Sequence, residues 1–438
     1  MQRWKIVIIG LLIGLGIALA LPFLIPTEGY RTAVQGFASE KLGEPVEIGS
    51  LRFAVLPWPS ATLSDLSIGK QQPVKIGAVT VTPDFFSLLS EVTVIQSLAI
   101  SALTVNPALL ARIQVWSKPQ PGSKTVSVRR VELHGLNLDM GTIQWTPLQA
   151  DIRLNDAGLQ SVTAGPEDGS LNVTLLPETQ GVYRLQIEGS QFKLPIKPAL
   201  VFDSLQGQGR LTEATLDLSE LTGRLYGGDM HASTRLDWKQ GWRIEGTAKT
   251  AGVEVAQIVR MLSPASAFSG RLYADGRFDM AAKTAGALAE NLRANVSFEI
   301  KDGVLDKVDL AQAAKLLTRQ GAHGGQTRFD QLSGIAELTG KRYRLKNVRV
   351  SSGALNAVGD VAIDPAKALS GQVTVELKGT STLVSVPLNV SGTVQEPILL
   401  PSGAALAGAA VGTGLLGPGL GTAVGSKAGQ ALEKLFKK

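Results

Sequence analysis

Cysteine is absent from the 438 residues, which excludes disulfide frameworks, thiolate metal sites and thiol nucleophiles. Export stays open, because a body of this length stabilises itself without covalent staples. Histidine is scarce. His134, His231 and His323 stand far apart in sequence, and each reads as a surface or strand residue rather than a ligand. Aromatics make up 5% and charged residues 18%, against 44% hydrophobic residues and 48 glycines. General disorder is thereby excluded. The mix fits many short strands joined by turns better than a helical bundle.

Catalytic patterns are missing too. No GxSxG, HExxH, Walker or GxGxxG motif occurs in proper context. Gly207-Gln208-Gly209 stops after two glycines and reads as a bend between strands. Acidic residues are scattered along polar strand faces, so no base, nucleophile and metal converge. The chain is expected not to be an enzyme and to need no cofactor or metal.

The net charge of +6 is concentrated at the ends. Residues 6–402 carry 37 basic against 36 acidic side chains, so the body is nearly neutral. A nucleic-acid binder concentrates positive charge on a folded face. Basic residues beside apolar termini point to a membrane surface instead.

From Ile6 to Ile25 there is no charged residue. Twenty helical residues span roughly 30 Å, the thickness of the hydrocarbon core. Arg3 and Lys5 precede the run, which keeps the N-terminus cytoplasmic and sends the rest across. The competing reading is a signal peptide cut after Ala18-Leu19-Ala20. Either way the body leaves the cytoplasm. Gly10 and Gly14 form a GxxxG pair, a pattern that also occurs by chance.

Residues 30–42 read as a short amphipathic helix with Val34, Phe37, Ala38 and Leu42 on one side, ended by Gly43 and Pro45. From Val46 a period of two takes over. Leu171-Asn172-Val173-Thr174-Leu175 and Val373-Thr374-Val375-Glu376-Leu377 alternate cleanly. Further strand runs fall at 126–133, 136–140, 183–188, 236–244, 343–350 and 387–391, with Gly227-Gly228-Asp229 and Asp302-Gly303 as turns. Helical spacing is clear only at 253–262 and 308–317, and weaker at 106–115. So few short helices cannot cover so large a sheet. Its apolar face must close on itself as a sandwich or barrel, or stay an open trough covered by something else.

Past Pro401 the composition changes. Residues 404–424 are uncharged and rich in Ala and Gly. Gly408 and Gly412 are four apart, and Gly417, Gly421, Gly425 and Gly429 repeat that spacing. Such a row lets helices approach closely, with Gly417-Pro418-Gly419 as a turn. The tail reads as membrane-active or self-associating. A flexible low-complexity segment is the alternative, since each helical Gly costs about 1 kcal/mol relative to Ala.

Two regions carry a resemblance. The first is Val46-Glu47-Ile48-Gly49-Ser50-Leu51-Arg52-Phe53, then Pro57-Trp58-Pro59, Leu63-Ser64-Asp65-Leu66-Ser67-Ile68 and Phe85-Phe86-Ser87-Leu88-Leu89. The second is Phe298-Glu299-Ile300-Lys301-Asp302-Gly303-Val304, then Phe329-Asp330-Gln331-Leu332-Ser333-Gly334 and Pro387-Leu388-Asn389-Val390-Ser391-Gly392. Together and in this order they resemble the AsmA-like family of bacterial envelope proteins; residues 110–290 match only in style. The resemblance implies an inner-membrane anchor, a periplasmic β body with a lipid-accommodating groove, and a role in phospholipid transport or outer-membrane assembly.

The expected architecture is mainly β: a transmembrane anchor (1–27), an N-terminal β block (28–110), a β body (111–290), a C-terminal β block (291–400) and the helical tail (401–438). The expected localisation is the bacterial inner membrane, single-pass, with the body periplasmic. Expected partners are membrane phospholipid and outer-membrane assembly proteins, not nucleic acid. A non-transport scaffold for outer-membrane biogenesis and a cleaved, secreted β-rich protein are the alternatives.

Overall fold

The structure, a computed structural model, describes residues 27–403 except 57, 71–72, 85, 91, 106–108, 110–125, 139–145, 196–198, 263–267, 316–323 and 379–383. The expected anchor (Arg3, Lys5, Ile6, Gly10, Gly14, Ile25) and tail glycines (Gly408, Gly412, Gly417, Gly421, Gly425, Gly429) lie outside the described residues. Among the described residues no helix is long and apolar enough to cross a membrane. The fold is mainly β, with few helices, and divides into two compact units, Met1–Ser190 and Gln191–Lys438.

Helix α1 (Thr27–Leu42) opens the first unit and runs antiparallel to strand β1 (Val46–Ala54). Ser39 Oγ accepts the Val46 N–H at 2.9 Å near the helix C-terminus, and Tyr30 in its first turn meets the Phe53 ring at 6.0 Å. Val34, Ala38 and Leu42, one turn apart, pack on Val46, Ile48, Leu66 and Ile68. Phe37 falls on the flank of that stripe and is 63% exposed, contrary to the one-sided reading of the sequence.

From β1 the chain runs antiparallel through β2 (Ser60–Ile68), β3 (Val74–Pro83) and β4 (Thr93–Val105). Strand β4 pairs in parallel with β5 (Val126–Val128) and β6 (Arg130–Leu138). Antiparallel pairing resumes through β7 (Leu148–Asn155), β8 (Gly158–Pro166), β9 (Leu171–Thr179) and β10 (Val182–Lys193).

A crease crosses the first strands. Pairing skips Gly49 and Asp65 between β1 and β2, Asp65 and Gly77 between β2 and β3, and Gly77 and Ala102 between β3 and β4. Asp65 and Ala102 both take φ of 55°. The glycines are required by close approach: a Cβ on Gly77 would stand 2.8 Å from that of Ala102. The crease shifts the inward positions of β1 from Val46 and Ile48 to Leu51 and Phe53.

The second unit is an antiparallel meander of β11 (Val201–Leu211), β12 (Thr215–Leu225), β13 (Gly228–Asp237), β14 (Trp242–Glu254), β15 (Phe268–Ala282), β16 (Arg293–Asp306), β17 (Gln326–Thr339), β18 (Arg342–Ser351), β19 (Leu355–Ile363), β20 (Leu369–Leu377), β21 (Val384–Gly392) and β22 (Pro397–Pro401). Each strand pairs with the next. Two helices sit on its apolar face, α2 (Val255–Leu262) and α3 (Leu310–Lys315). Asp309 caps α3 by accepting the Gln312 N–H, and Thr327 Oγ receives the Leu310 N–H.

The end of this sheet is rolled. Laid flat, β16 and β22 would lie about 29 Å apart. Yet α3 touches β17, β20, β21 and β22, and Lys307 Nζ donates to the Gln395 carbonyl at 3.4 Å. The roll wraps α3 in a closed core where Val375 and Leu388 are fully buried.

Three local readings need correction. Residues 236–244 are a hairpin, not a strand: Asp237 Oδ1 accepts the Lys239 N–H, Gly241 turns at φ 104°, and Trp238 and Trp242 stack tilted across it. Asp302-Gly303 is a bulge inside β16, not a turn between strands. Asp302 takes φ of 52°, and Gly303 leaves the space that the Phe329 ring fills. Gly207 and Gly209 lie within β11, opposite Leu221 and Leu218, and a Cβ at 209 would strike the Asp217 carbonyl.

Leu388→Ala removes a fully buried side chain and is expected to destabilise the second unit by about 2–5 kcal/mol in chemical denaturation. Thr250 Oγ1 is buried without a hydrogen-bond partner. Thr250→Val is therefore expected to stabilise by about 1 kcal/mol in the same measurement.

Candidate functional site

The antiparallel registers align inward side chains into rows that cross the strands. In the second unit one row runs Val253, Leu272, Ile300, Leu332, Val350 and Ala357, then Val375 and Val386. It lies beneath α2 and α3, and apart from Leu272 all of these are buried. Two rows away, Leu221, Ala232, Ala248, Gly276, Val296, Ala336 and Leu345 face the same side. Every member of this row is only half-buried. A sheet face whose one margin is sealed and whose middle is half open is the candidate site.

The open row is a furrow because its central members are small. Ala232, Ala248 and Gly276 are flanked on one side by Leu236, Ile244 and Met280, which stand four positions away along the same strands. Between them, the Phe278 ring lies along the sheet over Gly246, with Cζ at 2.8 Å from where a Cβ would be. Rings that lie flat over cross-strand glycines keep the floor low. From β13 to β17 the furrow runs about 19 Å across the strands. Its walls are aliphatic or aromatic apart from Thr234 and Thr250.

The first unit repeats the pattern. Helix α1 seals the start of the apolar face over β1 to β3. Further along, Leu133, Ala150, Ala164, Val173 and Ile187 form a row across β6 to β10, all half-buried. Ala150 and Ala164 again make the centre of the row its lowest part.

The opposite faces are polar and ion-paired. Arg130 bridges Asp151 at 2.6 Å and Glu132 at 2.8 Å, with Arg153 3.8 Å from Asp151. Arg130, Glu132 and Asp151 border a notch of about 510 Å³ that also includes His134 and Asn172. The hydrogen bond from Arg130 holds the Asp151 carboxyl below its ordinary range, and the same pair raises the Arg130 guanidinium. The charges at this notch are already partnered, so a polar ligand there must compete with them. Among the described residues no three His, Asp or Glu side chains gather as a metal-holding group.

The candidate residues named from sequence fall in the termini. The furrow residues were not among them. Their signal is the Ala or Gly at inward positions of neighbouring strands, legible only once the register is known.

Because its folded pKa is depressed, Asp151 contributes stability above the ordinary Asp range and loses it as pH falls through the lowered value. Arg130→Ala is expected to cost at most about 1 kcal/mol at neutral pH, the pair being partly exposed. The gap from the native chain should shrink as the solution is acidified below the ordinary Asp pKa, read from denaturation midpoints across pH. No family model matches the chain, and no curated protein matches it.

Proposed function

We propose that this chain is a bacterial envelope protein of the AsmA-like kind, held in the inner membrane by residues 6–25, whose periplasmic β body accommodates lipid acyl chains along its apolar furrows. In this reading it supports phospholipid transport or outer-membrane assembly by non-covalent means, without catalysis.

One observation supports it above the rest. A line of small apolar residues, Ala232, Ala248 and Gly276 beside the larger Leu236, Ile244 and Met280, remains half-buried, while the described helices seal the margins of the face. At about 25 cal/mol per Å², leaving such a strip in water forgoes substantial burial, and a hydrocarbon chain laid in it recovers that loss without any polar contact. A nearly neutral body suits a cargo recognised by its tails. The resemblance of segments within residues 46–100 and 298–397 to the family agrees with this reading.

The test is lipid content after gentle extraction of the full chain. Adjacent residues 248 and 249 point to opposite faces of β14, Ala248 half-buried and Lys249 exposed. The native chain and Lys249→Phe are expected to co-purify with phospholipid in similar amounts, whereas Ala248→Phe, which fills the furrow, should carry markedly less. Lipid-free native protein with an intact fold sinks this proposal and favours the scaffold reading. A mature N-terminus at Leu21 would instead favour secretion after cleavage.

A further inference from the structure

Large apolar side chains that stand in water are unevenly placed on the first unit. Trp58 is 73% exposed, Phe86 82%, Leu56 44% and Val92 40%. Leu56 and Trp58 lie in the β1–β2 connection; Phe86 and Val92 lie in the β3–β4 connection, where Phe86–Leu89 forms a 3₁₀ turn. Antiparallel pairing through β1, β2, β3 and β4 puts both connections at the same end of the sheet, as Phe53↔Ala61 and Ala61↔Val81↔Leu98 register them.

The same end receives the start of α1. The helix runs antiparallel to β1, and Tyr30, itself 54% exposed, meets Phe53 there. Thr27 therefore emerges beside the two apolar connections, and the uncharged stretch of residues 6–25 directly precedes it in the chain.

Three other described connections of this unit differ. At the same end, residues 155–158 (Asn-Asp-Ala-Gly) and 179–181 (Thr-Gln-Gly) are polar or small. At the opposite end, the β8–β9 connection at 167–170 reads Glu-Asp-Gly-Ser. Among the described connections of this unit, the exposed large apolar side chains fall in the two hairpins nearest the α1 N-terminus.

We propose that these tips form a docking rim that sits in the interfacial layer of the bilayer holding the anchor. This rests on the anchor reading above. Tryptophan and other aromatic side chains gain most where an apolar body meets wet headgroups. The rim is apolar and not basic: Glu28 pairs with Arg31 at 2.6 Å, and the Asp84 carboxylate accepts the Phe86 N–H at 2.9 Å. It therefore engages neutral phospholipid as well as anionic, with little dependence on salt. Seated so, the rim sets the strands of the first unit upright on the membrane, with the open apolar face beginning at the lipid surface.

The absence of native cysteine makes single-site labelling direct. The full chain carrying Ser90→Cys, Gln180→Cys or Asp168→Cys is labelled with an environment-sensitive fluorophore and reconstituted in phosphatidylcholine vesicles that contain nitroxide-bearing lipid. A blue shift and quenching at position 90, neither at position 168, and persistence in high salt are the expected result. Trp58→Ser in the Ser90→Cys chain, a change at an exposed loop residue that leaves the fold alone, should return the position-90 label towards its spectrum in water. A water-like label at position 90 on a chain that resists alkaline extraction overturns the docking rim and leaves the anchor standing. Equal quenching at positions 90 and 168 also overturns the rim. Release of the chain by alkaline wash overturns the anchor and the rim together.

Discussion

One constraint governs this protein: the sheet in each unit has a single oily face, and the described helices hide only part of it. Helix α1 covers the beginning of that face in the first unit, α2 and α3 one margin and the rolled end of the face in the second. A helix is about 10 Å across, so it shields two or three strands at about 4.8 Å spacing. The remaining strands keep their inward residues half in water. Sandwich folds resolve this by laying a second sheet on the first. Here, among the described residues, the second unit shields the margin under α2 and what its roll encloses.

Where the roll is complete, packing is of ordinary core quality, and fully buried Leu388 and Val375 sit against α3. Where it is not, glycine and alanine set the relief. A glycine opposite a phenylalanine lets the ring lie down, as Phe278 does over Gly246 and Phe298 over Gly334. The sheet thus gains curvature and a low floor from the same substitution of hydrogen for a side chain. The crease through Gly49, Asp65, Gly77 and Ala102 has a related effect in the first unit, bending several strands along one line. Within that unit, an open apolar face begins beside exposed apolar hairpin tips, the arrangement on which the proposed handling of hydrocarbon chains rests.

The β character, the short helices after residues 27 and 255 and the alternation of individual strands were legible in the sequence, because side-chain period follows directly from backbone geometry. Leu171, Val173 and Leu175, for example, keep one face throughout β9. Local reading failed where a turn-forming residue served another purpose. Asp302-Gly303 looked like the end of a strand and is a bulge that makes room for Phe329, far along the chain on the next strand. Residues 236–244 read as one strand run, yet Trp238 and Trp242 meet across a hairpin.

What the sequence determined by itself is the polarity of each strand face, the neutrality of the body and the apolar stretch ahead of residue 27. What only the tertiary structure decided is which small residues become neighbours. Ala232, Ala248 and Gly276 are separated by up to 44 positions in the chain and carry no common motif. They form a furrow because register aligns them, and register is set by the matching of apolar faces between strands and by the turns that join them, a relation that no single segment contains.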